Sequence, residues 1–394
     1  MDLEYSQEYK DFQEEVRAFT KAHGHKSPRV SAVARPNEQV KEWQALLIEH
    51  GYTARTIPRE YGGYGGEPDI LKNVIIAEEL NKASLNRGIS NQGVTMLIPT
   101  LLEIGSEEQR QQWIKPTLYG EVMWCQGYSE PSAGSDLAAL GTSGIEDGDD
   151  FLINGHKIWT SSAHVADMMF ILVRTEPDAP KHHGISYLLL PMDTPGIEIQ
   201  PLVSMTGVAE FNEVFFTDVR LRQNCIVGKR GEGWQVANTT LKHERGMLGD
   251  PDRTARQLQS LIDCLKSESV NGRPLMDHSV YRDRVLRIQC RVKAMHYNAM
   301  RVLTCNLRGE DAGIARLIVK LNATILNNEI SETAIDLLGE TGMLFGDSDY
   351  VRRDGMWQYA YMYSLGLIIG GGTSQIQKNI IAERGLGLPR EPKK

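Results

Sequence analysis

Three short segments of the 394-residue sequence combine residue types that could hold an organic ligand. The first is Gln126-Gly127-Tyr128-Ser129-Glu130-Pro131-Ser132-Ala133-Gly134-Ser135-Asp136. Its small residues and hydroxyls let backbone approach a flat or phosphorylated ligand closely. The same loop would serve equally as a polar connection between domains. The second, Asn154-Gly155-His156-Lys157-Ile158-Trp159-Thr160-Ser161-Ser162, sets an indole beside hydroxyls at a strand end. Trp159 there is either a core aromatic or a cover for the face of a planar cofactor. The third, Gly370-Gly371-Gly372-Thr373-Ser374-Gln375-Ile376-Gln377, follows an apolar helix. Its glycines permit close backbone approach, and Thr373 reads as the N-cap of a new helix whose start favours phosphate. A helix C-cap and turn accounts for the same residues.

The elements that must position these segments fall into three stretches, within the two or three domains that the length suggests. Residues 1–120 read as helical. Tyr9, Phe12, Val16 and Phe19 recur at helical spacing, Val40 to His50 repeats the pattern, and Ile70 to Lys82 and Gly93 to Ile104 follow. Ser106 reads as the N-cap of a further helix. Residues 121–230 change to short β-rich runs: MMFILVRT, GISYLLLPM, GIEIQPLV and NEVFFTDVRL. Asn154-Gly155 reads as a hairpin turn. A small antiparallel barrel or sandwich is expected here. In residues 231–394 the helical period returns, with one stripe through Val285, Ile288, Val292, Met295, Ala299 and Val302. Gly309 breaks it, and Ile314, Ile318, Leu321 and Ile325 form the next, suggesting an antiparallel bundle.

The three segments, in this order and context, resemble the acyl-CoA dehydrogenase family, and the resemblance runs to the closing AERGLGLPR. It implies a multi-domain α+β fold of helical domain, β domain and four-helix bundle. It also implies bound FAD and oxidation of acyl-CoA thioesters to trans-2-enoyl-CoA. The cofactor set carried over is Gln126, Tyr128, Ser129, Gly134, Ser135, Trp159, Thr160, Ser161, Gly339, Thr373 and Gln375. Tyr128 and Ser129 would lie near the flavin's polar edge, and Ser135 near phosphates or the CoA arm. Trp159 would flank the isoalloxazine, with the Ser161 hydroxyl on flavin N5. Thr373 and Gln375 match positions holding ribose, pyrophosphate or adenine. Ser135, Arg245, Gly371 and Gly372 are the expected substrate contacts.

The resemblance also bears on the catalytic base. Many relatives place a glutamate directly before the Gly-Thr of the third segment, where this chain has Gly371. A minority, similar to isovaleryl-CoA and long-chain acyl-CoA dehydrogenases, place it before an arginine on another helix. Leu241-Lys242-His243-Glu244-Arg245 matches that arrangement, although KHER alone reads as a solvated helix face. Glu244 is therefore the expected base, and His243 should point to another side of the helix. Gly371 retains its backbone N–H, so polarisation of the thioester oxygen would survive. The missing side chain leaves room for branched or bulky acyl groups.

Some positions depart from the family pattern. Tyr128 stands where an aliphatic residue is usual. Glu268-Ser269-Val270-Asn271-Gly272 replaces an Arg-x-x-Phe-Gly whose arginine reaches FAD pyrophosphate of a neighbouring subunit. Glu340, within Asp336 to Gly342, replaces a small residue. FAD would be held differently, for instance through Arg273. Alternatively the chain is a flavin-poor subunit of a heteromer, as in some bacterial steroid-side-chain dehydrogenases. An acyl-CoA oxidase or a flavin monooxygenase of the same fold is a further alternative.

Composition narrows the partners. The formal net charge of −8 argues against nucleic acid or an anionic membrane as the main partner. The longest clean apolar run, Met168 to Val173, is far below the ~20 residues of a membrane span. The charged opening, MDLEYSQEYKDFQEEVRAF, does not read as a signal peptide. Five cysteines without a CxxC pair read as buried free thiols in a reducing compartment, and a cytoplasmic location is expected. The expected partners are an acyl-CoA, an electron-transfer flavoprotein and further copies of the chain in a dimer or tetramer, with no metal.

Overall fold

The computed structural model describes residues 5–29, 35–247, 249–270, 272–346 and 348–390; side chains at 244–247 and 270 fall outside that description. The chain divides into two compact units, Met1–Ser204 with Val208–His243, and Met205–Gly207 with Glu244–Lys394.

The first unit begins with α1 (Gln7–His23), α2 (Glu38–Glu49) and α3 (Ile70–Lys82). Asn37 and Asp69 cap α2 and α3 by accepting from the N–H groups of Val40 and Lys72. The apolar stripe of α1 is buried as its spacing requires. Val16 and Phe19 pack with Trp43, Leu47, Ile75 and Leu80, and Tyr9 and Phe12 flank them. α4 (Ile98–Ile104) and α5 (Glu107–Leu118) follow, and Ser106 starts α5 with a capping box to Gln109.

Next comes a seven-stranded sheet of β1 (Trp124–Gly127), β2 (Ser143–Asp147), β3 (Asp150–Ser161), β4 (Met168–Arg174), β5 (Ile185–Pro191), β6 (Ile197–Leu202) and β7 (Phe211–Arg222). The order is β1-β4-β2-β3-β7-β6, with β5 paired to β4. Most pairings are antiparallel, while β4 runs parallel to β1 and β2. β4 and β5 are almost entirely buried and mostly apolar, because both faces are covered. Phe170, Leu172, Tyr187 and Leu189 face a core shared with Leu101, Ile114 and Val236. Met169, Ile171, Val173, Leu188 and Leu190 face a second core with Phe151, Ile153 and Val214.

One expectation fails here. Asn154-Gly155 is no hairpin turn; it lies inside β3, where the pairing with β7 shifts register. A Cβ at Gly155 would stand 2.4 Å from Thr142 Oγ1, so this glycine serves close packing. The turn instead uses Gly148 and Asp149, between the paired Asp147 and Asp150.

α6 (Gly233–Met247) carries the boundary between the units, which falls between His243 and Glu244. The second unit holds α7 (Pro251–Ser267), a short hairpin of β8 (Ser269–Val270) with β9 (Arg273–Pro274), α8 (Ser279–Leu307), α9 (Ile314–Leu317), α10 (Val319–Leu338), α11 (Met356–Ile369) and α12 (Ser374–Ile380). α7, α8, α10 and α11 share one core, built on Leu261, Ile288, Ile330 and Trp357.

The stripe expected through Ile314, Ile318, Leu321 and Ile325 is not the buried face. Ile314 is exposed, the other three are half-buried, and the core takes Ala323, Leu326, Ile330, Ala334 and Leu337. α10 packs against α7, α8 and α11 at once, so one face cannot account for its burial. All five cysteines are free; Cys125 and Cys264 are buried, while Cys290 is exposed.

Candidate active site

In the first unit the first two segments are tied together through backbone. Gln126 sits on β1, aligned with Phe170 of β4. The Tyr128 ring is buried edge-on to Phe170 and Tyr187. That ring therefore belongs to the core. Ile158 donates its N–H to the Ser129 carbonyl at 2.9 Å. Glu130 and Ala133 exchange backbone hydrogen bonds across a tight turn, beyond which Gly134, Ser135 and Asp136 are exposed. No atom lies within 4 Å of where a Gly134 Cβ would stand.

A buried ion pair underlies this loop. Lys157 is 0 % exposed, and its Nζ donates to Glu130 Oε1 at 2.7 Å and to the Tyr128 carbonyl at 3.1 Å. Glu130 also accepts from the N–H groups of Gly141, at 2.6 Å, and Thr142, at 2.9 Å. Burial lowers the Lys157 ammonium to about 8 despite the pull of Glu130. Burial works to raise the Glu130 carboxyl, but the Lys157 charge and these hydrogen bonds outweigh it and hold it below its ordinary value. Both residues lie inside the segments quoted above, yet sequence reasoning gave them no role. The signal was available: Phe151, Ile153 and Lys157 alternate onto the core face of β3.

At the end of β3 the backbone is strained. Trp159 has φ 62, and Ser162 has φ 60. The left-handed region is an outlier for a bulky residue, costing about 1–3 kcal/mol. It coincides with a register shift between Lys157 and Thr160. The indole is 55 % exposed and meets Phe211 edge-on. Trp159 is thus turned out of the core that its size would suit. Beside it, Thr160 Oγ1 and Asn212 Oδ1 are buried with no hydrogen-bond partner among the described residues. Ser161, half-buried, lies opposite Phe211.

The second unit gathers Gly371, Gly372, Thr373 and Gln375 into one turn. α11 ends at Ile369, and the chain reverses through Gly371 (φ 63) and Gly372 (φ 93), both in the region that favours glycine. Thr373 caps α12, its Oγ1 accepting the Ile376 N–H at 3.2 Å. Among the described residues, no acceptor meets the backbone N–H of Gly371, Gly372 or Thr373. Gln375 is exposed on α12. Gly339 is exposed at the end of α10 with φ 54, and Glu340 beside it is exposed. Of the segment that departs from the family, Asn271 lies outside the described residues, and Arg273 is exposed on β9.

His243 Nε2 lies 3.0 Å from Glu103 Oε1 on α4. Glu244 and Arg245 lie on the helical backbone of α6, and their side chains are outside the described residues.

A helical unit and a curled sheet followed by a helical bundle, with these turns at their ends, define a class of flavin-dependent dehydrogenases. Three family descriptions match in order: acyl-CoA dehydrogenase N-terminal domain over residues 6–121, middle domain over 125–219 and C-terminal domain over 231–386. The chain belongs to the acyl-CoA dehydrogenase family. It is 38% identical over 361 residues to acyl-CoA dehydrogenase IpdE1 of Mycobacterium tuberculosis, covering 90% of each. A solved structure described as Tcur3481-Tcur3483 steroid ACAD matches with TM-score 0.81 and 28% identity, over 99% of this chain and 100% of that one. The ChsE4-ChsE5 complex from Mycobacterium tuberculosis matches with TM-score 0.81 and 26% identity, over 99% and 100%. The protein is an oxidoreductase that dehydrogenates acyl-CoA and, like its family, depends on FAD. The residues present fit that cofactor. In the first unit an indole is held out of the core and buried polar atoms beside it have no partner among the described residues; in the second, a glycine turn presents N–H groups that meet no acceptor among the described residues. No helix among the described residues is long and apolar enough to cross a membrane.

Proposed function

We propose that this chain oxidises a bulky or branched acyl-CoA to its trans-2-enoyl-CoA, with Glu244 removing the α-proton. The observation that carries the reading is the turn at Gly371. Its φ of 63 suits glycine, so the family's usual glutamate is absent there while the backbone N–H remains. The carboxylate before an arginine on α6 then supplies the base, and the Gly371 N–H polarises the thioester oxygen. In the first unit, Gln126, Tyr128, Ser129, Gly134, Ser135, Trp159, Thr160 and Ser161 would hold FAD. In the second, Gly339, Thr373 and Gln375 would do so, with Arg273 in place of the missing arginine. When bound, FAD supplies the two-electron acceptor for the β-hydride. Arg245, Gly371, Gly372 and Ser135 contact the acyl-CoA, and the domain limits 1–120, 121–230 and 231–394 belong to the same reading.

The substrate class draws support from the solved relative described as a steroid ACAD. Electrons would pass to an electron-transfer flavoprotein in the cytoplasm. A dimer or tetramer is the expected assembly. A second reading, a subunit of a heteromer, is favoured by the two-component names of the two structural relatives and by Glu268. FAD stoichiometry of the purified chain separates the two.

Anaerobic titration with a panel of acyl-CoAs, followed by flavin absorbance, tests the reading. Wild type should bleach with bulky thioesters, and Glu244→Gln should keep its FAD without bleaching. Full bleaching of Glu244→Gln rejects the base assignment. A preference for straight short chains rejects the substrate class.

A further inference from the structure

Lys320 is a lysine buried to 3 % exposure in the bundle, on the helix that the sequence pattern marks as apolar. Its Nζ donates to the Gly372 carbonyl at 2.6 Å and to the Ile368 carbonyl at 3.2 Å. Ile368 lies in the last turn of α11, where carbonyls lack helical partners and a cation is favoured. The two held carbonyls bracket Gly371. From the other side, Gln377 donates Nε2 to the Gly371 carbonyl at 3.3 Å. Gln377 is itself buried, and a Cβ on Gly372 would stand 2.7 Å from its Nε2.

We infer that Lys320, assisted by Gln377, is a positioning residue that sets the direction of the N–H groups of the glycine turn. In a trans peptide the carbonyl and the following N–H point opposite ways. Holding the Gly371 and Gly372 carbonyls on Gln377 and Lys320 therefore turns the N–H groups of Gly372 and Thr373 the other way. Holding the Ile368 carbonyl fixes the entry to the turn. Gly371 and Gly372 have no side chains to restrict their backbone, so these two hydrogen-bonding side chains replace that missing restraint. The Gly371 N–H belongs to the peptide between two held ones, the Gly370 N–H being fixed on the Gly366 carbonyl at 2.8 Å and the Gly371 carbonyl on Gln377, so its direction is set by both neighbours; this rests on the reading above of the Gly371 N–H as the donor to the thioester oxygen. A donor aimed wrongly still permits binding but weakens stabilisation of the enolate-like charge.

The test uses a 3-thia-acyl-CoA, which has an α-proton but no β-hydride to lose. The α-hydrogen is exchanged in D2O on the FAD-loaded enzyme and followed by mass spectrometry, with binding measured by calorimetry. Lys320→Met should slow exchange about 10–100-fold, less than the loss of a whole oxyanion donor. The dissociation constant should change less than about threefold, since ground-state contacts persist. Lys320→Arg should restore part of the rate. Gln377→Leu, which strands no charge, should slow exchange in the same direction and decides the matter if Lys320→Met does not fold. Exchange at the wild-type rate in a folded Lys320→Met, or in Gln377→Leu when Lys320→Met does not fold, overturns the positioning role. Wild type that fails to exchange overturns instead the reading on which it rests.

Discussion

Lys157→Met offers a sharp test of how the first unit supports the loop from Tyr128 to Asp136. The substitution keeps the length and apolar stem of the side chain and removes the ammonium that Glu130 faces at 2.7 Å. Removing one partner of a buried pair costs about 3–5 kcal/mol, because the other charge is stranded. Glu130 keeps two backbone donors, Gly141 and Thr142. Those bonds place the loss at the lower end, about 3 kcal/mol. Glu130→Gln should cost less, about 1–2 kcal/mol, since burial already favours neutral Lys157 and an amide oxygen still accepts from the loop. Combining the two strands no charge, so the double variant should lie within about 1–2 kcal/mol of wild type. The cycle then gives a coupling of about 2–4 kcal/mol. Urea unfolding of the four proteins, read by tryptophan fluorescence, supplies the values. In a heating scan the single Lys157→Met variant should melt about 6–12 °C lower. Additive losses in the double variant would refute the claim that the stranded charge is what destabilises.

The same pair predicts a pH dependence. The Lys157 ammonium titrates at about 8 when folded and near its ordinary 10.5 when unfolded. Between those values the unfolded chain holds the extra proton, so stability should rise with pH there, and below about 8 the burial cost is constant. Subtracting the Lys157→Met profile from that of wild type should isolate the rise; a flat difference contradicts the shift. In the second unit, Gly371→Ala should lower the melting temperature, since a side chain at φ 63 costs about 1–2 kcal/mol. Gly366→Ala, within α11 and with no atom near its Cβ, should raise stability by about 0.5–1 kcal/mol. Opposite signs from two nearby glycines would be seen in paired melts, and equal signs would contradict the turn geometry. Trp159→Asn should leave the apoprotein within about 1 kcal/mol of wild type, because Asn accepts the left-handed backbone. FAD retention on a desalting column should nevertheless fall, and undiminished retention would return Trp159 to a packing role.

Much of this architecture is legible in the residues. The limits of α3 and the runs that become β4 and β5 follow from local pattern alone, because periodicity and turn residues act over a few positions. Thr373 as an N-cap is legible for the same reason. The hairpin misread at Asn154-Gly155 shows where that logic stops. A turn dipeptide was overruled by the close approach of Thr142, which leads into β2. Lys157 and Lys320 escaped notice because a lysine reads as solvated until its neighbours are known. Each is buried by tertiary packing and donates to backbone carbonyls at a chain turn: Tyr128 for one, beside the Glu130 carboxylate, and Ile368 and Gly372 for the other. The two units thus use one device, a buried ammonium hydrogen-bonded to backbone carbonyls at a turn, that no local motif encodes.

The left-handed backbone at Trp159 has a consequence for anyone trying to improve this protein. A selection that rewards heat resistance in the absence of ligand favours whatever relaxes that strain, and replacing the tryptophan is one direct route. Under the FAD-covering role proposed for Trp159, winners of such a screen would keep their fold and lose their colour. Libraries built on this scaffold therefore need FAD present during the challenge, so that the strained conformation is rewarded by what it binds.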